Sequence, residues 1–365
     1  MTSHIGSRIK TWASYLRGVY EYNVLGRFRT VPLRGLVIDV TYRCNSRCLM
    51  CSIWKSPPQA ELTTAQFDAV LSDPLFRTVE RLMISGGEPT LRSDLLELVT
   101  VFLKRMPSLA ALSLITNGLA PERVVAVYGD IARLCAERGI RLSISVSLDG
   151  IGEVHDQMRG IPGAFARVTQ TLEGLGKLRE QYGFYLGVGC VVCHLNLHHL
   201  PELEEWCRQR NLDLGHQLVG FHETYVDNLA QRDQLEFAED DKPALYALLA
   251  RLSANQSLRN PMACYWRDML EMYSQGQARQ SPCAFLVDSM VLDATGNVRL
   301  CETAENLGNC LDSGSCSSLY YGQKARAMRQ ALASGPCRTC NSGCMVNIAW
   351  RKDLFKYLRF LRQGD

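Results

Sequence analysis

Cys44, Cys48 and Cys51 stand in the stretch CNSRCLMC, with three and then two residues between successive thiols. Three thiols this close in the chain, on a loop directly after an apolar strand, can ligate three irons of one [4Fe–4S] cluster. Such clusters normally use four cysteines. A missing ligand leaves an open coordination position, and open positions on metals are where substrates bind. The same residues would also serve in a structural zinc site, or be incidental thiols, and the spacing alone leaves all three readings open.

A second group runs from Cys283 to Cys344. Cys283 and Cys301 lie on either side of Asp293-Ala-Thr-Gly-Asn297, a hairpin turn signal that would bring the two together across a strand pair. Cys337, Cys340 and Cys344 follow in CRTCNSGC, with Cys310 and Cys316 in between. Cys135, Cys190, Cys193, Cys207 and Cys264 fall in segments that read as ordinary elements, where a cysteine is a small buried hydrophobe. No apolar N-terminal run marks a secretion signal, and no apolar stretch is long enough to span a bilayer. The expectation is a cytoplasmic protein whose clustered thiols serve metal or redox chemistry rather than a disulfide framework.

Charge adds an exclusion. The chain of 365 residues carries 40 basic against 37 acidic side chains, without the basic excess of a dedicated nucleic-acid binder. An apolar content of 47% with 21% charged residues fits a globular protein with a substantial core.

The cysteine loop has to be held by something, and the surrounding pattern alternates between strand and helix. Strands are predicted at residues 35–40, 79–85, 111–116, 141–148, 185–192 and 212–219. Helices are predicted at 63–71 (capped by Thr63 or Thr64), 95–106, 121–138, 165–182 and 200–210. Repeated strand–helix units build a parallel sheet with right-handed crossovers. Six units are too few for a closed eightfold barrel and enough for an open partial one. Ligands sit at the carboxyl ends of strands in either architecture.

Residues 1–34 form a basic, aromatic segment in which Trp12, Leu16, Val19 and Tyr20 share helical spacing, with Arg8, Lys10 and Arg17 among them. Covering one end of the main domain is the favoured role, a membrane surface the other. The organisation read from the pattern is this N-terminal segment, a barrel at 35–222, a helical connection at 223–280, a cysteine-rich module at 281–345 and a C-terminal amphipathic helix at 346–365. In that last helix Trp350, Leu354, Tyr357, Leu358 and Leu361 share a face.

The loops at the first four strand ends are all of ligand-binding type. Ser85-Gly86-Gly87-Glu88-Pro89 follows the second strand; its glycines admit close backbone approach, and Glu88 with nearby carbonyls suits a ligand ammonium. Thr116-Asn117-Gly118 follows the third. Ser147-Leu148-Asp149-Gly150 follows the fourth, then His155-Asp156-Gln-Met-Arg159-Gly160. Ser147 and Arg159 suit a carboxylate. The plain alternatives are a helix cap for Asp149 and a solvated charge for Arg159.

Taken in order, Cys-x3-Cys-x2-Cys, Gly-Gly-Glu-Pro, Thr-Asn-Gly, Ser-Leu-Asp-Gly and His-Asp-x-x-Arg-Gly resemble the radical S-adenosylmethionine (radical SAM) superfamily over about residues 33–220. The resemblance implies an α/β fold, a partial (β/α)6 TIM-like barrel. It also implies a [4Fe–4S] cluster on Cys44, Cys48 and Cys51 whose open iron binds S-adenosylmethionine. Carried over by position, Gly86, Gly87, Glu88 and Pro89 would hold the methionyl ammonium, with Asn117 and Asp149 among the contacts. Ser147 and Arg159 would hold the carboxylate and ribose end. Met50, where an aromatic or apolar residue is usual, would pack near the adenine. The C-terminal cysteines resemble the auxiliary-cluster domains called SPASM and twitch. One auxiliary [4Fe–4S] cluster on Cys283, Cys301, Cys337 and Cys340 is expected, with Cys344, Cys310 and Cys316 as substitutes or ligands of an atypical second cluster.

The implied chemistry is one-electron reduction of S-adenosylmethionine to methionine and a 5′-deoxyadenosyl radical, which takes a hydrogen atom from substrate. An external one-electron donor such as flavodoxin or ferredoxin is implied. The favoured substrate is a small polar molecule, a sugar or aminocyclitol, dehydrogenated or epimerised. The alternative is a ribosomal peptide or protein side chain that is oxidised or cross-linked. An epimerase would need a hydrogen-atom donor, for which Cys190, Cys193 and Cys264 are candidates. A zinc-containing binding module without catalysis is the reading of a different class.

Overall fold

A computed structural model describes residues 14–254 and 260–362. Trp12, Arg8 and Lys10 lie outside the described residues. Along the chain run α1 (residues 14–23), β1 (Gly35–Asp39), α2 (Thr64–Val70), β2 (Arg81–Ser85), α3 (Leu95–Arg105), β3 (Ala111–Thr116) and α4 (Pro121–Arg138). Next come β4 (Arg141–Ser147), α5 (Glu153–Arg159), α6 (Ala164–Tyr182), β5 (Tyr185–Val192), α7 (Leu200–Gln209), β6 (Asp213–Leu218) and α8 (Arg232–Leu235). The remainder holds α9 (Lys242–Ser253), α10 (Pro261–Gln275), β7 (Ser289–Leu292), β8 (Asn297–Arg299), β9 (Asn306–Asn309), α11 (Cys310–Ser313), α12 (Cys316–Tyr321), α13 (Gln323–Ser334), α14 (Val346–Lys352) and α15 (Leu354–Arg362).

Two compact units result. The larger comprises residues 33–241 and 289–325. Its nine strands form one sheet in the order β6-β5-β4-β3-β2-β1-β7-β8-β9. Neighbours from β6 to β7 are parallel, and β7-β8-β9 are antiparallel. The predicted six strand–helix units are all present, as a partial barrel. Residues 289–309, expected in a separate cysteine-rich module, instead extend this sheet: β7 pairs with β1, Gly35 opposite Ser289 and Ile38 opposite Leu292.

The strand sequences dictate their two faces. In β3 and β4, Leu112, Leu114, Leu142, Ile144 and Val146 are buried, and the alternate residues Ser113, Ser143, Ser145 and Ser147 are half-buried. Period-two alternation puts the large side chains under the helices and the small polar ones on the inside of the partial barrel. On α4, Val124, Tyr128, Ile131 and Cys135 recur every three or four residues and are buried. Burial of each such side chain contributes roughly 1.5–3 kcal/mol. β1, with Leu36, Val37 and Ile38 all buried, has no exposed face, as befits a central strand. Thr63 starts α2 with a capping box completed by Gln66, which satisfies two orphan donors.

Of the described residues, the smaller unit comprises 14–32, 242–254, 260–288 and 326–362. Tyr22 packs with Ala284 and Ala349. Its hydroxyl donates to Asp288 at 3.0 Å, and Lys352 pairs with the same carboxylate at 2.7 Å. The single C-terminal helix expected at 346–365 is two helices, α14 and α15, broken at Asp353. Trp350, Tyr357 and Phe360 are among its buried residues, while Leu358 is exposed. Leu16 and Tyr20, expected to pack, are exposed as well. Among the described residues no helix is long and apolar enough to cross a membrane.

Candidate functional site

The cysteine loop leaves the carboxyl end of β1 and is held on three sides by backbone. Arg47 and Leu49 donate from their amides to the carbonyls of Arg159 and Met158 at 2.9 and 3.0 Å. Ser52 donates to Val226 at 2.7 Å, and Asn228, buried, donates through its amide to the carbonyl of Met50 at 3.0 Å. On the third side Gly87 and Glu88 donate to the carbonyls of Thr41 and Arg43 at 2.7 and 2.9 Å.

This explains the two glycines. A Cβ on Gly86 would stand 2.3 Å from the Thr41 carbonyl oxygen, and one on Gly87 would stand 2.2 Å from that of Arg43. The space they leave is filled by the cysteine loop's own backbone. We expect Gly87→Ala to displace that loop and lower the iron bound after anaerobic reconstitution at least severalfold, read by iron and sulfide assay; full iron content would show that the contact does not matter.

The three sulfurs meet polar hydrogens. Ser46 directs its amide to Cys44 Sγ at 3.5 Å, and its hydroxyl lies 3.0 Å from Cys48 Sγ. The Asn117 side-chain amide reaches Cys44 Sγ at 3.7 Å, and Arg159 reaches Cys48 Sγ at 3.5 Å. The Ile53 amide faces Cys51. Burial pushes the Cys44 thiol up to about 11 and the Cys51 thiol to about 12, so a metal bound by these two must displace their protons. Half-exposed thiols ringed by N–H and O–H groups are a donor set that fits an iron–sulfur cluster, since hydrogen bonds to the sulfurs stabilise and tune it.

The Glu88 side chain is turned toward the neighbouring strand end. Its buried carboxylate accepts from the Thr90 amide and hydroxyl, the Thr116 hydroxyl and the Asn117 amide, at 2.7–3.2 Å. Those four donors fill a carboxylate's acceptor sites. In this structure Glu88 therefore ties the ends of β2 and β3 together, with burial pushing its carboxyl up against the pull of those hydrogen bonds. Pro89, buried, opens a short 3-10 turn. The Gly86 carbonyl accepts from the Tyr225 hydroxyl at 2.9 Å.

At the end of β4, Asp149 and Arg159 form a buried ion pair at 2.8 Å, with side chains 0% and 9% exposed. Neither the helix-cap reading nor the solvated-charge reading holds. Burial pushes the Asp149 carboxyl up, and Arg159 pulls it back down. Arg159, against the cost of burial, is held in its charged form by Asp149 and Cys48. The short contact argues for the ionised pair. Asp149 also accepts from the Val191 amide, and buried Asn196 bridges the carbonyls of Asp149 and Val191. Ser147 is half-buried at the same strand end. Met50 lies in an apolar cluster with Met158, Cys193, Val219 and Leu235. Cys190 and Cys193 are buried, the latter with its thiol pushed to about 11 by burial.

A second group at the end of β1 was not legible in the sequence. Asp39 is fully buried, and Arg299 on β8 approaches it at 3.4 Å. Glu302 lies 3.9 Å from the same guanidinium nitrogen, and the Tyr225 ring lies under Arg299. Oδ1 of Asp39, Nε of Arg299 and Oε2 of Glu302 are buried without a hydrogen-bond partner. Burial pushes the Asp39 carboxyl up strongly and that of Glu302 to about 7.

The C-terminal thiols divide. Cys283, Cys337, Cys340 and Cys344 belong to the smaller unit, where Arg279 donates to the carbonyls of Cys340 and Ser342 at 2.9 Å and has Cys283 and Cys340 as charge neighbours. Cys301 belongs to the larger unit. Cys310 and Cys316, considered above as substitute ligands, are joined in a disulfide. Among the described residues no three His, Cys, Asp or Glu side chains converge on a single metal ion.

Comparison with known proteins bears on this arrangement. Residues 38–207 match the Radical SAM superfamily. Pre-heme d1 synthase of Dinoroseobacter shibae is 34% identical over 202 residues, 54% of this chain and 46% of that protein. The antilisterial bacteriocin subtilosin biosynthesis protein AlbA of Bacillus subtilis is 23% identical over 83% of this chain and 62% of its own length. The chain spans about half the length of the first of these and under two thirds of the second. Among solved structures, SuiB of Streptococcus suis bound to S-adenosylmethionine superposes with a TM-score of 0.58 at 12% identity, over 93% of this chain and 78% of that one. The enzyme anSMEcpe with bound AdoMet gives 0.57 at 17% identity, over 91% and 93%. These two likenesses concern the fold.

Proposed function

Residues 38–207 are a radical SAM domain, carried with a cysteine-rich C-terminal region of SPASM or twitch type, and from that premise we propose that the chain oxidises or epimerises a small polar substrate by hydrogen-atom abstraction. When bound, the [4Fe–4S] cluster and S-adenosylmethionine supply the one-electron chemistry that removes the hydrogen atom. Cys44, Cys48 and Cys51 hold the cluster, and Ser46, Asn117 and Arg159 orient its sulfur ligands. The Gly86–Pro89 edge, its carbonyl fixed by Tyr225, receives the methionyl ammonium. Ser147 with the Asp149–Arg159 pair faces the rest of the cofactor, and Met50 lines its apolar side. Within the smaller unit, Cys283, Cys337, Cys340 and Cys344 would hold one auxiliary cluster, which would supply a one-electron acceptor.

The observation that carries the substrate class is the group Asp39, Arg299 and Glu302. Two carboxylates and one guanidinium with buried unpaired atoms are costly unless a ligand completes them. Their two free acceptors and one free donor match a hydroxyl- or amine-bearing molecule. A peptide side chain is the second reading, favoured by the alignment to AlbA, which covers 83% of the chain and so extends beyond the barrel.

The test supplies deuterium-labelled aminocyclitols, sugars and peptides to the anaerobic, reduced protein with S-adenosylmethionine and looks for label in 5′-deoxyadenosine. Transfer from a sugar or aminocyclitol supports the first reading, and transfer from a peptide the second. Arg299→Ala is expected to keep substrate-free cleavage of S-adenosylmethionine within about twofold while lowering label transfer by about 10–100-fold, as removal of a buried polar contact does. Equal transfer would remove Arg299 from substrate recognition.

A further inference from the structure

The smaller unit leaves an apolar surface uncovered, and its charges point to what covers it. Leu16, Tyr20 and Val24 follow one another every four residues along and just past α1, so they form a ridge on one side of the helix. All three are exposed, and Phe28, four residues further, is 84% exposed. The opposite side of α1 does the packing: Tyr22 and Asn23 are buried, and Asn23 donates to the Lys352 carbonyl at 2.8 Å. α15 repeats the arrangement. Tyr357 and Phe360 are buried against Trp350, while Phe355 is 65% exposed and Leu358 faces out beside it. The Phe355 amide donates to the Asn23 side chain at 3.3 Å, so the end of α1 and the start of α15 present their apolar residues together.

The flanking charges have one sign. Arg27 and Arg29 are exposed on either side of Phe28, and Arg359 and Arg362 are exposed on α15. The side chains of these four make no ion pair with any described residue. Within residues 14–31 and 351–362 the only carboxylates are Glu21, which is buried, and Asp353, which is half-buried. A soluble partner's binding face would commonly mix signs. Exposed Phe, Tyr and Leu with arginines and no exposed carboxylate match the headgroup region of an anionic bilayer, where apolar side chains reach the acyl boundary and each arginine contributes roughly a fivefold gain in affinity. Since no described helix can cross a bilayer, the contact is a surface one.

We propose that the smaller unit carries a docking surface for an anionic lipid bilayer, formed by Leu16, Tyr20, Phe28, Phe355 and Leu358 with Arg27, Arg29, Arg359 and Arg362. This stands apart from the reaction assigned above. The experiment is flotation of the full chain, anaerobically purified, with vesicles of phosphatidylcholine alone or mixed with phosphatidylglycerol. The protein is expected to float with the mixed vesicles, at least about tenfold more than with phosphatidylcholine alone, and to be released as salt is raised. Phe28→Asp combined with Phe355→Asp should reduce flotation at least tenfold while iron content and thermal midpoint stay unchanged. Arg27→Glu combined with Arg29→Glu should do the same. Absence of flotation with the anionic vesicles, or undiminished flotation of both variants, overturns the proposal. So does light scattering that shows a wild-type dimer which the Phe28→Asp, Phe355→Asp variant converts to monomer, because the surface is then a protein interface.

Discussion

Cys48→Ala is expected to abolish formation of 5′-deoxyadenosine and methionine from S-adenosylmethionine, a fall of at least about a thousandfold. The reasoning is local. Cys48 is the central thiol of the three, within 3.0 Å of the Ser46 hydroxyl and 3.5 Å of Arg159. Losing one ligand of three leaves a cluster with two protein bonds, well beyond the 10–100-fold cost of disturbing a residue that only supports a ligand. The check is anaerobic reconstitution followed by product analysis under dithionite. Bound iron should fall by the content of one cluster and leave the auxiliary iron in place. Product from the variant would refute the assignment of this loop.

Asp149→Ala should be the largest stability effect in the barrel. It leaves the Arg159 guanidinium buried without its partner, and removal of one member of a buried pair costs about 3–5 kcal/mol. The urea midpoint of the barrel's unfolding transition should shift down accordingly. Because Arg159 also reaches Cys48 and its carbonyl receives the Arg47 amide, the variant should bind iron more weakly as well. Asp149→Asn, which keeps a hydrogen-bond acceptor, should lose less of both. An unchanged midpoint in the alanine variant would mean that Arg159 finds another acceptor and that the pair is dispensable.

What the sequence could tell was what is local. Pro121 opens α4 and Gly139, in the left-handed region at φ 66°, closes it; both are start and stop signals that act within a turn. The alternation in ALSLIT and RLSISVS sets the faces of β3 and β4, and the cysteine spacing sets the site. What was not legible shares a different origin. Gly86 and Gly87 announce a close backbone approach without saying that the Thr41 and Arg43 carbonyls make it. Glu88 looks free until Thr116 and Asn117 arrive from the next strand. Leu16 and Tyr20 look like a packing face because helical spacing shows that a stripe exists, not which side of it meets protein. Asp39 and Arg299 approach each other only because β8 joins the sheet, and no short-range pattern announces that pairing. The radical SAM resemblance supplied the cofactor that the spacing alone left undecided between iron and zinc.

The pairing of β7 with β1 also orders the events of folding. β1 can join β2 as soon as the first strand–helix unit exists, yet its other edge waits until the chain has passed through α9 and α10 and come back at Ser289. Such a long-range contact closes late, because the loop entropy must be overcome before the ladder forms. Until then the central strand, apolar on both faces and bearing the cysteine loop, presents an unpaired edge open to other chains. A nascent or truncated chain that stops short of Ser289 should therefore aggregate rather than fold, and cluster loading before that residue is made would be premature.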